Sequence, residues 1–189
     1  MRQTKGNLEN EVIKNMDDEE GYYNVLLGDH LNYRYEIIKI LGKGSFAQVA
    51  ACIDHKTGYK VAIKITRNTE IDHKFASSES KLLNFLMEND PSDENNIVRL
   101  IDEFYFRDHH CFVFELLHTD LFEYLKDNGF IGFETGKIRE YAIQMLKALM
   151  FLEKHQLIHC DLKPENILIV DDTYKRIKLV DYGSGCFKD

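Results

Sequence analysis

The residues of this chain best suited to chemistry cluster in a polar run, His159-Cys160-Asp161-Leu162-Lys163-Pro164-Glu165-Asn166, followed after two apolar runs (residues 167–170 and 177–180) by Asp181-Tyr182-Gly183. A carboxylate such as Asp161 can orient a hydroxyl or take its proton. Taken alone, an Asp and an Asn on a polar turn are turn residues, because both side chains cap backbone groups readily. What gives the run weight is the set of residues that precedes it. Gly42-Lys43-Gly44-Ser45-Phe46-Ala47-Gln48-Val49 joins two apolar stretches, and glycines let backbone amides approach anionic oxygens closely. In residues 60–66, strand alternation puts Ala62 and Lys64 on one face, and Val61, Ile63 and Ile65 on the other. A small Ala leaves room for a flat base, and a Lys two residues along the same face reaches toward phosphates, so this face suits a nucleotide. Glu79 falls with Leu82, Leu83 and Leu86 at i, i+3, i+4 and i+7 on one helical face. A carboxylate on an inward face needs a partner, and Lys64 is the first choice, with Glu70 a rival to Glu79 for that lysine.

The elements that must position these groups follow from periodicity. Residues 35–41 read as a strand, residues 42–49 as a turn into a second strand ending near Asp54, and residues 60–66 as a third. A helix is predicted over residues 73–88. Residues 97–106 and 111–117 read as two more strands joined by an Arg-Asp-His-His turn at residues 107–110, making five strands before the long helices. His109 and His110 stand beside Cys111, but their place in that polar turn favours a solvated turn over a metal site. A short helix is predicted over residues 121–127 and a longer one over residues 135–154, with Ile138, Tyr141, Ala142, Met145, Leu149 and Leu152 on its buried face. At the other end, residues 1–20 are polar, with an acidic cluster at Asp17, Asp18, Glu19 and Glu20, and are expected to be mobile. From Tyr22 the apolar content rises toward Tyr33-Arg34-Tyr35, a segment expected to pack on the domain behind it.

Composition narrows the class. With 189 residues and 44% hydrophobic content the chain can bury a sizeable core, which points to a globular protein. A formal net charge of -8 argues against a general nucleic-acid or anionic-membrane surface. No apolar run is long enough for a membrane span, and Cys52, Cys111, Cys160 and Cys186 show no metal-type close pairing. Reduced thiols in an intracellular compartment, cytoplasmic or nuclear, are the expectation.

These motifs, in this order, resemble those of the eukaryotic protein kinases: a glycine-rich loop, Val61-Ala62-Ile63-Lys64, a helix glutamate, a catalytic loop from His159 to Asn166, and Asp181-Tyr182-Gly183 in place of Asp-Phe-Gly. From about Tyr22 to Phe187 the chain is similar to the dual-specificity tyrosine-phosphorylation-regulated kinases (DYRK) of the CMGC group. That closer likeness rests on Cys160 where most kinases have Arg, on Gly183-Ser184-Gly185-Cys186-Phe187, on Phe114-Glu115-Leu116-Leu117, and on the acidic, aromatic segment leading to Tyr33-Arg34-Tyr35. The resemblance implies an α+β, bilobal kinase-like fold: a five-stranded antiparallel N-lobe sheet with one helix, and the first part of a mainly helical C-lobe. The implied domains are a tail at residues 1–21, a homology-box-like segment at residues 22–34, an N-lobe at residues 35–117 and a partial C-lobe at residues 118–189.

It further implies transfer of the γ-phosphate of ATP to Ser or Thr of protein substrates, with a tyrosine autophosphorylation during maturation. Asp161 would orient the hydroxyl and Lys163 neutralise charge on the moving phosphoryl group, while Lys64, supported by Glu79, would hold the ATP phosphates. Asn166 and Asp181 would hold Mg2+. Leu41, Gly42, Gly44, Val49, Ala62 and Leu168 would surround the nucleotide, Glu115 and Leu117 would lie in the linker that meets the adenine edge, and Phe114 would control access behind the base. Cys160 cannot offer a phosphorylated activation loop the charged fork that Arg does, so control through that contact is not expected. Tyr182 keeps an aromatic plug but adds a hydroxyl that needs a partner when buried. In the family, the rest of the activation segment and further C-lobe helices follow the position of Asp189, so the resemblance implies a partial kinase domain whose long helix leaves apolar surface uncovered. The alternative is an ATP-binding or interaction module without catalysis.

Overall fold

The computed structural model describes residues 16–188, which form two compact units: residues 16–77 with 101–116, and residues 78–100 with 117–188. The expectation of mobility for residues 1–15 lies outside the described residues.

The first unit is a six-stranded sheet in the order β1-β2-β3-β4-β6-β5. It is built from β1 (His30–Leu31), β2 (Tyr35–Lys43), β3 (Ala47–Asp54), β4 (Lys60–Thr66), β5 (Leu100–Phe106) and β6 (His109–Glu115). The five expected strands are present, and the segment before them adds β1 at one edge by pairing His30 with Glu36 and Leu31 with Tyr35. Alternation decides which face is buried. Ile37, Ala50, Cys52, Val61, Ile63, Ile65, Cys111 and Val113 form the core with Tyr23, Leu31 and Tyr35. Two register shifts in β2, between Ile37 and Lys39 and between Ile40 and Gly42, bend that strand as it enters the glycine turn.

Two expectations change here. The turn between β5 and β6 consists of Arg107 and Asp108 alone, both in the left-handed region (φ 49° and 64°). Two left-handed residues suffice to reverse the chain, so His109 and His110 become strand residues and are buried, not part of a solvated turn. His109 is bonded through Nδ1 to the Thr66 carbonyl at 2.7 Å and through Nε2 to Asp17 at 2.9 Å; His110 Nε2 lies 3.0 Å from Glu103. Asp17 is therefore fixed to the sheet. Asp18 accepts bonds from the amides of Glu20 and Tyr22 and from Lys43, so Asp17 and Asp18, within the stretch expected to be mobile, have defined partners, while Glu19 and Glu20 are exposed. Farther along, Arg34 reaches Asp54 with two bonds of 2.7 and 2.8 Å and Asp102 at 2.9 Å, and the Tyr35 hydroxyl donates to Asp102 at 2.9 Å. This bidentate pair holds the Tyr33-Arg34-Tyr35 corner against the end of β3.

Helix α1 (Glu70–Asn89) begins at Glu70 because Thr69 caps it, its hydroxyl oxygen accepting the Asp72 amide at 3.1 Å. Glu79, Leu82, Leu83 and Leu86 are all buried, as their spacing predicts. In the second unit, β7 (Thr119–Asp120) leads into α2 (Leu121–Asp127), capped by Asp120, which accepts the Glu123 amide at 2.8 Å. Helix α3 (Thr135–Lys154) follows, then β8 (Leu157–Ile158). A 3₁₀ turn at Pro164–Asn166 precedes the hairpin of β9 (Ile167–Ile169) and β10 (Ile177–Leu179), and β11 (Cys186–Phe187) returns to pair with β8.

The buried stripe of α3 is Tyr141, Ala148, Phe151 and Leu152; Ile138 and Ala142, expected inside, are exposed. Its orientation is set by polar contacts that hydrophobic periodicity does not register. Gln144 accepts the Ile177 amide at 2.9 Å and donates to the Lys175 carbonyl at 2.9 Å, and Tyr141 donates to the Tyr174 carbonyl at 2.8 Å. The opposite side of α3 carries exposed Ile143, Leu146 and Met150. Neither long helix is apolar enough to cross a membrane.

Candidate active site

In the first unit the register gathers most of the residues expected around a nucleotide. Val49 lies opposite Lys64 and Gly42 opposite Val49, while Ala62 lies opposite Ala51 and Phe114. Directly opposed residues share a face in an antiparallel sheet, so Val49, Ala62, Lys64 and Phe114 project to the same side, each half-buried. Glu115 pairs with Val61 at the end of β6. Leu41, Gly42 and Gly44 are exposed along the turn, which closes through a bond from the Gly44 amide to the Ala47 carbonyl at 2.9 Å. The turn is supported from the segment before the sheet: Tyr22 donates to the Gly44 carbonyl at 2.7 Å, and Lys43 sits 3.7 Å above the Tyr22 ring. A Cβ added at Gly42 meets nothing within 4 Å. Packing within the fold does not demand glycine there, and the bare backbone faces outward.

In the second unit Asp161, Lys163 and Asn166 form one bonded cluster. Lys163 Nζ lies 2.8 Å from Asp161 Oδ2, and the Asn166 amide nitrogen donates to that same oxygen at 3.0 Å and to the Asp161 carbonyl at 2.9 Å. The Lys163 ammonium, followed by Asn166, holds the Asp161 carboxyl below the usual carboxylate range, against an opposing push from the charge of Asp181. Lys163 is raised in turn by Asp161. Asp161 is thus an ionised acceptor at neutral pH, suited to orienting a hydroxyl.

Asp181 is aligned with this cluster through the backbone. Val180 donates to the Asn166 carbonyl at 3.0 Å, and Leu179 donates to the Asn96 carbonyl at 2.8 Å. His159 supplies a second tie: Nδ1 accepts the Asp161 amide at 3.2 Å, and Nε2 lies 2.9 Å from the Val180 carbonyl, which accepts its proton. Both bonds are satisfied by one neutral tautomer, with the proton on Nε2. One buried imidazole therefore sets the spacing between the backbones that carry Asp161 and Asp181. Asp181 itself is exposed and left-handed (φ 62°), as is Cys160 (φ 65°), so both aspartates adjoin backbone in a sparsely populated conformation. With the Asn166 nitrogen spent on Asp161, its side-chain oxygen is the atom that can meet a cation. Together with the Asp181 carboxylate this makes an all-oxygen donor set that fits Mg2+.

Tyr182 is buried under His159, with ring centroids 5.0 Å apart, and its hydroxyl has no hydrogen-bond partner among the described residues. Burial pushes its phenol pKa up. Leu168 sits on β9 opposite Asp120 and Lys178, and Leu117 is buried just ahead of β7. Glu79 is buried on the inward side of α1. Two contributors escaped the sequence reading as site residues. His159 opens the motif, which was the available signal; Asn96, which also donates to the Ile177 carbonyl at 3.0 Å, lies far from the motif in sequence and gave none.

Comparison with known proteins finds that residues 35–188 match the family model described as "Protein kinase domain". The chain is 48% identical over 172 residues to the DYRK-family kinase pom1 of Schizosaccharomyces pombe, covering 91% of this chain and 16% of that protein. It is 45% identical over 172 residues to the human dual specificity tyrosine-phosphorylation-regulated kinase 4, covering 91% of this chain and 33% of that protein. With the dual specificity tyrosine-phosphorylation-regulated kinase mbk-2 of Caenorhabditis elegans it shares 45% identity over 173 residues, 92% of this chain and 21% of that protein. The chain thus spans a third or less of the length of each of these relatives.

Proposed function

The chain belongs to the protein kinase family, in its DYRK branch, and on that footing we propose that it carries the ATP-binding and phosphoryl-transfer machinery of a serine/threonine protein kinase that also phosphorylates its own tyrosine. The observation that carries the proposal is the bonded set Asp161, Lys163 and Asn166, tied through His159 to the backbone that presents Asp181.

The reaction breaks the bond between the γ-phosphorus and the bridging oxygen of ATP and forms a bond from that phosphorus to a substrate hydroxyl oxygen, with ADP leaving. Asp161 accepts a hydrogen bond from the incoming hydroxyl and takes its proton as the phosphorus–oxygen bond forms. Its lowered pKa makes it a weak base, so its main contribution is orientation. Lys163 places positive charge beside Asp161, where equatorial phosphoryl oxygens accumulate negative charge in the transition state. Asn166 and Asp181 are the residues that would hold Mg2+, which supplies neutralisation of phosphate charge. By the family pattern Lys64 binds the ATP phosphates and Glu79 supports Lys64. The outward, side-chain-free backbone at Gly42 suits close approach to phosphate oxygens. Val49, Ala62 and Leu168 are assigned to the adenine, with Leu41, Gly44, Phe114, Glu115 and Leu117 completing its surroundings.

Transfer of labelled γ-phosphate from ATP to a serine- or threonine-bearing peptide, followed by phosphoamino-acid analysis, tests this. Magnesium-dependent transfer abolished by Asp161→Asn supports the proposal. Magnesium-dependent ATP binding with no transfer to peptide or to the chain itself favours the alternative, a nucleotide-binding module without catalysis.

A further inference from the structure

A second constellation of metal-ligating side chains lies on the first unit's sheet, outside the residues assigned to phosphoryl transfer. His30 on β1 and Glu36 on β2 are direct cross-strand partners, so their side chains emerge on the same face. Ile53 lies opposite Glu36 on the next strand, and His55, two residues farther on, falls on that face as well. The structure realises this convergence. His55 Nε2 is 2.7 Å from Glu36 Oε2, the rings of His30 and His55 stack at 5.2 Å with 22° between their planes, and one ligand atom from each of the three residues lies within 4.8 Å of the other two. A hydrogen bond accounts for His55 and Glu36, but not for His30, an imidazole with no hydrogen bond among the described residues that is nevertheless brought against the pair. Two imidazole rings converging on one carboxylate bring together nitrogen and oxygen donors of the kind that ligate metal.

We propose that His30, Glu36 and His55 form a binding site for a borderline divalent transition-metal ion such as Zn2+, with the fourth position open to water. Two imidazole nitrogens and one carboxylate oxygen make a three-ligand set that suits Zn2+ and disfavours Mg2+ and Ca2+, which take oxygen. Metal–ligand bonds of about 2.0–2.2 Å hold tetrahedral ligand atoms roughly 3.4 Å apart. The present spread of up to 4.8 Å closes by small side-chain rotations, since the two histidines are exposed and Glu36 is half-exposed, with none of the three in the core. The backbone beneath is already fixed: the His55 amide donates to the Arg34 carbonyl at 3.0 Å, and the amides of Gly28 and Ile37 bond across the β1–β2 edge at 2.8 and 2.9 Å. Bound metal joins β1, β2 and the end of β3. Because β1 belongs to the segment whose Tyr22 and Asp18 support the glycine turn, the ion clips that support to the sheet.

The test is titration of the chelator-treated 189-residue chain with Co2+ and then Zn2+, together with His30→Ala and His55→Ala. The expected result is one equivalent bound, a visible Co2+ spectrum of a nitrogen and oxygen set without a near-ultraviolet thiolate band, and slower exchange of the Gly28 and Ile37 amides with Zn2+. Either substitution weakens binding roughly tenfold or more, while the melting temperature in chelator is unchanged because both side chains are exposed. The proposal is overturned if no equivalent binds or if both variants bind as the parent does. A thiolate band would also overturn it, placing the ion at Cys160 and Cys186, whose sulfurs lie 3.8 Å apart.

Discussion

Replacing His159 by Phe isolates the tie between the two aspartate-bearing backbones. The substitution keeps an aromatic ring against Tyr182 but deletes the acceptor for the Asp161 amide at 3.2 Å and the donor to the Val180 carbonyl at 2.9 Å. A buried backbone group left without its partner costs about 1–3 kcal/mol. Asp161 and Val180 are both half-buried, so water replaces part of each lost bond and the net loss is about 1 kcal/mol, the low end of that range. This loss acts locally, on the segment ahead of Asp181. The amides of Leu179 and Val180, now bonded to Asn96 and Asn166, should exchange with solvent roughly fivefold faster, since about 1.4 kcal/mol of opening free energy is a factor of ten. Hydrogen exchange read by mass spectrometry or NMR, with β3–β4 ladder amides as internal reference, measures this directly. Exchange at Leu179 and Val180 within twofold of the parent would refute the assignment of His159 as the element that spaces the two acids.

Other consequences concern stability and reactivity. Tyr182→Phe removes a buried hydroxyl that lacks a partner and should raise stability by about 1 kcal/mol in urea unfolding; a loss of that size would show that the hydroxyl is bonded. Arg34→Met leaves the buried Asp54 carboxylate without its bidentate partner and should cost about 2–3 kcal/mol at pH 7. Hydrogen bonding by Arg34 holds the Asp54 carboxyl well below the usual range in the folded chain. The stabilisation is therefore complete above the unfolded carboxyl pKa near 4, and is lost as pH falls through the lower folded value. The gap between parent and variant should accordingly narrow below about pH 4, as urea midpoints at a series of pH values will show. Of the four cysteines, Cys160 and Cys186 are exposed while Cys52 and Cys111 are buried, and burial pushes the Cys52 thiol up to about 12. A thiol reagent should label the first two in the native chain and the other two only after unfolding; rapid labelling of Cys52 would contradict the burial.

The site was legible in the sequence where its parts are near neighbours. Asp161, Lys163 and Asn166 meet across one turn, and resemblance to a kinase catalytic loop carried the expectation for them, while Val61-Ala62-Ile63-Lys64 declares its own two faces by alternation. What the sequence hid were bonds between distant residues: His109 to Asp17, Arg34 to Asp54, Asn96 to the Ile177 carbonyl. Residue type announces a need for a partner in such cases without naming it. The misplacement of His109 and His110 had this cause, since two polar rings look like turn residues until Thr66, Asp17 and Glu103 are found waiting for them. The buried face of α3 was misjudged for a related reason. Gln144 and the Tyr141 hydroxyl, which anchor the helix to the β9–β10 hairpin, carry no weight in a hydrophobic pattern. At α1 the Thr69 cap was present in the sequence as a start signal, and it places the first turn ahead of the apolar stripe.

The central claim is that Asn166 and Asp181 hold Mg2+ for an ATP molecule presented to Asp161. Calorimetric titration of the chain with ATP, in Mg2+ and in chelator, for the parent and for Asp181→Asn tests it most directly. The account predicts that Mg2+ strengthens ATP binding to the parent and that Asp181→Asn removes this dependence. Absence of ATP binding, or a magnesium dependence that survives Asp181→Asn unchanged, would contradict it.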